Sequence, residues 1–223
     1  MCGRFTITDP LDAIMDRYYA SIGEGFAYKP NYNAAPMQYI PTIIGSSSGN
    51  RLGSLRWGLV PSWASDDKIG NKMINARAET LAEKPAFKRL VGSKRCIVPC
   101  SGFLEWKKLS SGKQPMRILM KDDSIFSLAG LYDTWIDPDG NKLSTCTIIT
   151  TEPNSLMAEI HNRMPVILRP ENEEEWLAKD SDKDSVLGLL QPYPSEAMRA
   201  YKVSSDIGNV RNNNPELIQE VCS

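Results

Sequence analysis

A chain of 223 residues with 41% hydrophobic side chains can fill one sizeable core, and no apolar run reaches the roughly 18 residues of a membrane span. The polar, Arg-containing start is unlike a signal peptide, so a cytoplasmic protein is expected, and five cysteines, an odd number, argue against a disulfide framework. The net charge of −1 hides an asymmetry: residues 51–121 hold 15 Lys and Arg against five Asp and Glu, a balance of +10, and the rest of the chain a balance of −11.

The chain opens MCGRF. Cys2 is small enough for the initiator methionine to be trimmed, which would leave an α-amine and a thiol on adjacent carbons; alternatively Cys2 simply begins a buried strand. Thr8 or Asp9 can cap a helix with Pro10 in its first turn, and Leu11, Ile14, Met15, Tyr18 and Tyr19 share a face at helical spacing. From Tyr39 to Thr151 the signals change to short β-rich runs: YIPTIIG, SLRWGLV, RCIVPC, GFLEW, MRILM, SIFSLAGLYDTWI and STCTIITT. Their short connections, KDDS and DPDGN among them, favour a meander of antiparallel strands.

Between SLRWGLV and RCIVPC lie about thirty residues without alternation, too long for an idle connection, so this segment is partly helical or functional. Within it, KPAFKRLVGSKR (84–95) has five basic residues and no acid, and such a run suits either a solvated helix face or a polyanion such as nucleic acid. TEPNSLMAEIH then reads as a short helix capped near Thr151 or Asn154, with Leu156, Met157 and Ile160 inward and His161 at its end. Helical patterns at 171–179 and 183–190 precede a tail dense in Gly and Asn, VSSDIGNVRNNNPELI, which should loop back onto the body. With no repeats and no linker, one α+β domain spanning 1–223 is expected.

Cys96 and Cys100 sit in RCIVPCSGFLEW, taken as one strand, where their Cα atoms would be roughly 13 Å apart, too far for a disulfide or one metal. With one histidine in the chain and no CxxC pair, neither a metal site nor a cofactor is expected. That histidine, His161, lies in the polar cluster IHNRMP and is either structural or a proton carrier. Glu105 in GFLEWKK would have a raised pKa and act as an acid if it faced inward; facing outward it is an ordinary strand glutamate. Asn75 and Arg77 alternate in INARAET and would point the same way on an extended segment, where an amide can orient a substrate and a guanidinium can grip a phosphate; loop polarity accounts for them equally. Core packing is the default for Trp57 and Trp106, whereas Trp63, in VPSWASDD, could stack on bases.

Together these phrases resemble the SOS response-associated peptidase (SRAP) family of abasic-site processing proteins. The resemblance rests on MCGRF, YNAAP (32–36), RWGLVPSW (56–63), NARAET (75–80), RCIVPCSGFLEW (95–106), AGLYDTW (129–135), TIITTEPN (147–154), IHNRMPVIL (160–168) and GNVRNNNPELI (208–218). Ser101 departs from the aspartate common in the family at that position. The resemblance implies a curved, mainly antiparallel sheet forming a barrel-like core with flanking helices. It further implies a sensor of abasic sites in single-stranded DNA and at junctions with duplex, which attaches covalently to the lesion through Cys2 after Met1 is removed; a monomer is expected. By position, Cys2, Asn75, Glu105 and His161 would form the catalytic set, and Arg4, Trp63, Arg77 and Arg163 would contact DNA. Arg or a nearby His would increase the Cys2 thiolate. Autoproteolytic loss of Met1 and a weak strand-cleaving lyase activity are further implications. Two other readings stand beside this one: an N-terminal-nucleophile amidohydrolase using the same Cys2, and a noncovalent DNA-binding module.

Overall fold

The computed structural model describes residues 2–23 and 25–221. Met1, whose removal is expected, and Cys222 lie outside the described residues. In chain order the elements are β1 (Phe5–Ile7), α1 (Leu11–Tyr18), β2 (Ala20–Ile22), β3 (Asn31–Ala34), β4 (Tyr39–Ser46), β5 (Gly49–Trp57) and β6 (Asn75–Arg77). Then follow α2 (Leu90–Ser93), β7 (Arg95–Cys100), β8 (Gly102–Leu109), β9 (Gly112–Met120), β10 (Phe126–Ile136), β11 (Lys142–Thr151) and α3 (Ser155–Ala158). The last are β12 (Met164–Pro165), β13 (Ile167–Leu168), α4 (Glu173–Leu177), α5 (Lys183–Gly188) and β14 (Met198–Lys202).

The strands form two sheets, and the larger one closes on itself. β5 pairs β4, β4 pairs β7, β7 pairs β10 and β10 pairs β11, all antiparallel, and β11 returns to β5 through a parallel pairing of Thr145 and Cys146 with Arg56 and Trp57. The fold is therefore α+β with a mainly antiparallel, five-stranded barrel, as expected; it is not a simple meander, because parallel pairs β2–β5, β5–β11 and β6–β11 stitch distant segments together. Closure removes exposed edges from the ring. It also explains why β10 is buried at six successive positions from Phe126 to Leu131 rather than at alternate ones: one face lines the barrel and the other is covered.

The smaller sheet has the order β14-β9-β8-β1-β3. The chain enters it from the barrel at Ser101, so RCIVPCSGFLEW is two strands in two sheets rather than one. The start of β8 packs closely against a side chain from β9: a Cβ on Gly102 would lie 2.8 Å from Nε of the buried Arg117. Ser101 Oγ accepts from Thr8 N–H at 2.9 Å and donates to Asp9, so Asp9 supplies a carboxylate beside this serine.

Helix α1 buries Ile14 and Tyr18 as its periodicity requires, but Thr8 and Asp9 do not cap it, and Tyr19 is not inward. Tyr19 ends the helix in the left-handed region (φ 46°) and is 90% exposed. α3 has the expected cap, with Asn154 accepting from Met157 N–H at 2.9 Å, and Met157 is fully buried. Among the described residues no helix is long and apolar enough to cross a membrane.

Candidate active site

The smaller sheet places the chain's first residues against Glu105. Phe5 pairs Phe103 and Thr6 pairs Gly102, and Leu104 N–H donates to the Arg4 carbonyl at 3.0 Å, so the segment before β1 runs antiparallel alongside the stretch of β8 that carries Glu105. Phe5 anchors this register from the core, edge-on to Trp57 at 5.4 Å. Cys2 and Glu105 are both buried, at 0% and 4% exposure. The inward reading of Glu105 therefore holds, and burial pushes its carboxyl up to about 7.

Cys2 behaves differently from the expectation of an enhanced thiolate. Burial, and then the Glu105 charge, push its thiol well above its ordinary value, so it rests protonated. The arginine two residues on is engaged elsewhere: Arg4 Nη1 donates to Asn33 Oδ1 at 2.7 Å and to the Ile207 carbonyl at 2.9 Å, with its guanidinium 5.8 Å from the centre of the Trp106 ring. Arg4 is thus a clasp for the C-terminal tail rather than an open phosphate contact. Asn33, itself 1% exposed, completes the clasp by sharing its amide among the carbonyls of Ile207, Asn209 and Asn212.

His161 follows α3 and faces Glu105 across the site, Nε2 to Oε2 at 4.0 Å. Its Nδ1 lies 3.1 Å from the Arg163 N–H and 3.2 Å from the Arg163 carbonyl, and burial lowers its pKa, so the imidazole is neutral near pH 7. Trp106, Lys107, Lys108, Ile160, His161 and Asn162 line a cleft of about 370 Å³ at this point. A larger hollow of about 720 Å³, between α1, the β4–β5 turn and α4, contains none of the expected site residues.

Asn75 and Arg77 come from the segment that lacked alternation. Its middle forms β6, which lies parallel to the end of β11 (Ile148 to Asn75, Thr150 to Arg77), with Ala76 buried and Asn75 and Arg77 on the other face as alternation requires. Asn75 Nδ2 donates to the Ile148 carbonyl at 3.3 Å, leaving Oδ1 buried with no hydrogen-bond partner among the described residues. β12 pairs β11 at Thr150 and Thr151 and so brings Arg163 to the same strand end. Arg77 is exposed, whereas the Arg163 guanidinium is taken up by Glu79 and the Thr150 carbonyl.

Trp63 stands 62% exposed on the turn after β5, held at its base by Ser62 N–H to Asp133 at 2.8 Å. Trp57, by contrast, is fully buried with its indole N–H on the Ile74 carbonyl. Part of the basic stretch is spent internally: Arg56 pairs Asp67, Lys94 pairs Asp133, and Arg95 donates to carbonyls of Val91, Trp176 and Ala178. Lys107 and Lys108 remain at the cleft. Among the described residues no cluster of three His, Cys, Asp or Glu side chains could hold a metal ion.

Chemically, the arrangement offers a carboxyl near half-protonation at neutral pH, a neutral imidazole beside it and a buried thiol. Glu79 and Asn33 were not among the residues expected from the sequence; Glu79 is one of only five acids in the basic stretch, which was a usable signal.

The model of a family described as SOS response associated peptidase (SRAP) matches residues 1–210. The chain is 56% identical over 223 residues to the abasic site processing protein YoqW of Bacillus subtilis, covering 98% of this chain and 99% of the relative. It is 32% identical to the abasic site processing protein HMCES of Xenopus tropicalis, covering 89% of this chain and 68% of that one. A crystal structure of a protein from Bacteroides thetaiotaomicron superposes with a TM-score of 0.89 at 33% identity, over 99% of this chain and all of the other.

Proposed function

Because the chain belongs to the SOS response associated peptidase (SRAP) family, we propose that it senses abasic sites in single-stranded DNA and at junctions with duplex, and attaches to them through Cys2. The observation that carries this reading is the delivery of the N-terminal segment alongside Glu105, whose carboxyl lies 4.0 Å from the one histidine of the chain.

An abasic deoxyribose exchanges between a closed hemiacetal and an open aldehyde. Glu105, holding a proton near neutrality, donates it to the ring oxygen while the anomeric hydroxyl loses its own, and the aldehyde is released. With Met1 gone, the α-amine of Cys2 adds to that carbon and water leaves, giving an imine. The imine nitrogen takes up the proton that the anomeric hydroxyl gave up, and the thiol adds to the resulting iminium carbon and closes a five-membered thiazolidine; the thiol's own proton passes to the carboxylate that Glu105 has become. Aldehyde and aminothiol thus yield thiazolidine and one water. Because the buried thiol is protonated at rest, a base at its side is needed, and the same residue serves as acid first and base second. Ring closure is intramolecular and gains from effective molarity.

His161 moves protons during imine formation, and Asn75 orients the open sugar. Arg77 and the lysines of the cleft hold the backbone by counterion release, and Trp63 stacks on an unpaired base. An imine also acidifies the neighbouring carbon, so slow strand cleavage accompanies attachment. Removal of Met1 by the protein itself, residence in the cytoplasm and a monomeric state belong to the same reading.

The test is to mix the protein, its free N-terminus verified by intact mass, with an oligonucleotide holding one abasic site and run a denaturing gel. A heat-resistant shifted band is expected, lost in Cys2→Ala and in any chain that retains Met1. No band from the verified protein, or an undiminished band from Cys2→Ala, refutes the proposal.

A further inference from the structure

Two segments bear site residues around the end of β11: β6 with Asn75 and Arg77 on one side, and the His161–Arg163 turn on the other. One carboxylate ties them. Glu79 sits in the 3₁₀ turn Ala78–Thr80 directly after β6, and its two oxygens accept from Arg163 Nη1 at 2.6 Å and Nη2 at 2.9 Å. Arg163 Nη2 also donates to the Thr150 carbonyl of β11 at 2.7 Å. The Arg163 side chain is only 15% exposed, and both ends of its fork are engaged.

Arg163 in turn holds the histidine by its backbone. A neutral His161 whose Nδ1 accepts the Arg163 N–H carries its proton on Nε2, the nitrogen that faces Glu105. Once protonated, Nδ1–H can donate to the Arg163 carbonyl instead. The backbone of one residue thus serves both charge states, provided that it does not move. Residues 161–163 lie outside any strand or helix, so no ladder of their own fixes them.

We infer that Glu79 is a positioning residue: through Arg163 it fixes the turn that presents His161, and it locks that turn to the strand bearing Asn75. On this account Glu79 acts on the proton-carrying group and not on the affinity for DNA. The opposite account is that the carboxylate merely covers Arg163 until a phosphate replaces it.

The inference rests on the proposed function, and the rate of heat-resistant attachment is read against the concentration of abasic oligonucleotide. Glu79→Ala should slow attachment at saturation by about tenfold or more, the scale of a displaced catalytic group. The half-saturating concentration should stay unchanged. Glu79→Gln, which keeps one acceptor oxygen, should recover part of the rate. In an Arg163→Ala background, Glu79→Ala should cost nothing further, because the two act as one unit. A second arm needs no DNA: the chain has a single histidine, so the ¹⁵N signals of His161 are unambiguous, and Glu79→Ala should change their tautomer pattern. Tighter half-saturation at an unchanged rate, additive losses with Arg163→Ala, or an unaltered imidazole signal would overturn the inference. If the wild-type chain forms no adduct, the proposed function falls while the imidazole arm still decides the role of Glu79.

Discussion

Replacing Glu105 by glutamine should make the protein more stable and less reactive at once. The carboxyl is 4% exposed, and burial moves it from an ordinary 4.5 to about 7. A folded value above the unfolded one means that the folded chain holds the proton longer, so the group is harmless to stability below pH 4.5 and increasingly destabilising as pH rises through 7. Above both values the cost of the buried charge is roughly 3 kcal/mol, at about 1.4 kcal/mol for each tenfold change. Glutamine has nearly the same shape and no charge to bury. Between pH 5 and pH 8 the variant should therefore gain roughly 2–3 kcal/mol on the wild type, which for a chain of this size is about 5–10 °C in melting temperature. Thermal melts of both proteins at pH 5, 6, 7 and 8 measure this directly. Attachment to an abasic oligonucleotide should fall in the same variant by about 10²–10⁴-fold, the usual worth of a general acid. Melting curves that stay parallel across pH would refute the burial reasoning, and a stabilised variant reacting at the wild-type rate would refute the acid role.

Trp63→Ala should weaken binding to single-stranded abasic DNA by about 1–3 kcal/mol, read by fluorescence anisotropy in a Cys2→Ala background, with the melting temperature unmoved because the ring is 62% exposed. Equal affinity would remove Trp63 from the interface. Asn33→Ala leaves Arg4 and three tail carbonyls short of a partner and should cost about 2–3 kcal/mol in urea denaturation, with limited proteolysis beginning in the tail. An unchanged unfolding midpoint would show that the clasp is redundant.

The seven long β runs were legible because alternation and turn chemistry are local properties, and the structure has a strand at each. β6, β12 and β13 were not: each has two or three residues and exists only because β11 or β10 offers it an edge, which no local pattern records. The same limit hid the break at Ser101, where β7 leaves its pairing with β10 and β8 takes up β1, a change of partner that no local pattern records. The motif residues could be named one at a time, but what their neighbours do to them was not readable. Arg4 and Arg163 look like free cations in sequence and are committed to Asn33 and Glu79 in the fold. Cys2 looks poised for ionisation beside an arginine, yet burial outweighs that neighbour.

The first strand is an interior strand of its sheet, with β8 on one side and β3 on the other. Anything fastened at Cys2 would pull along β1, loading both rows of hydrogen bonds in shear rather than peeling one strand from an edge. A tug on the attached DNA, as from a motor advancing along it, would have to drag the fully buried Phe5 out of the core before the joint yielded. Under the proposed attachment, the fold would make the linkage a mechanical anchor as well as a chemical one.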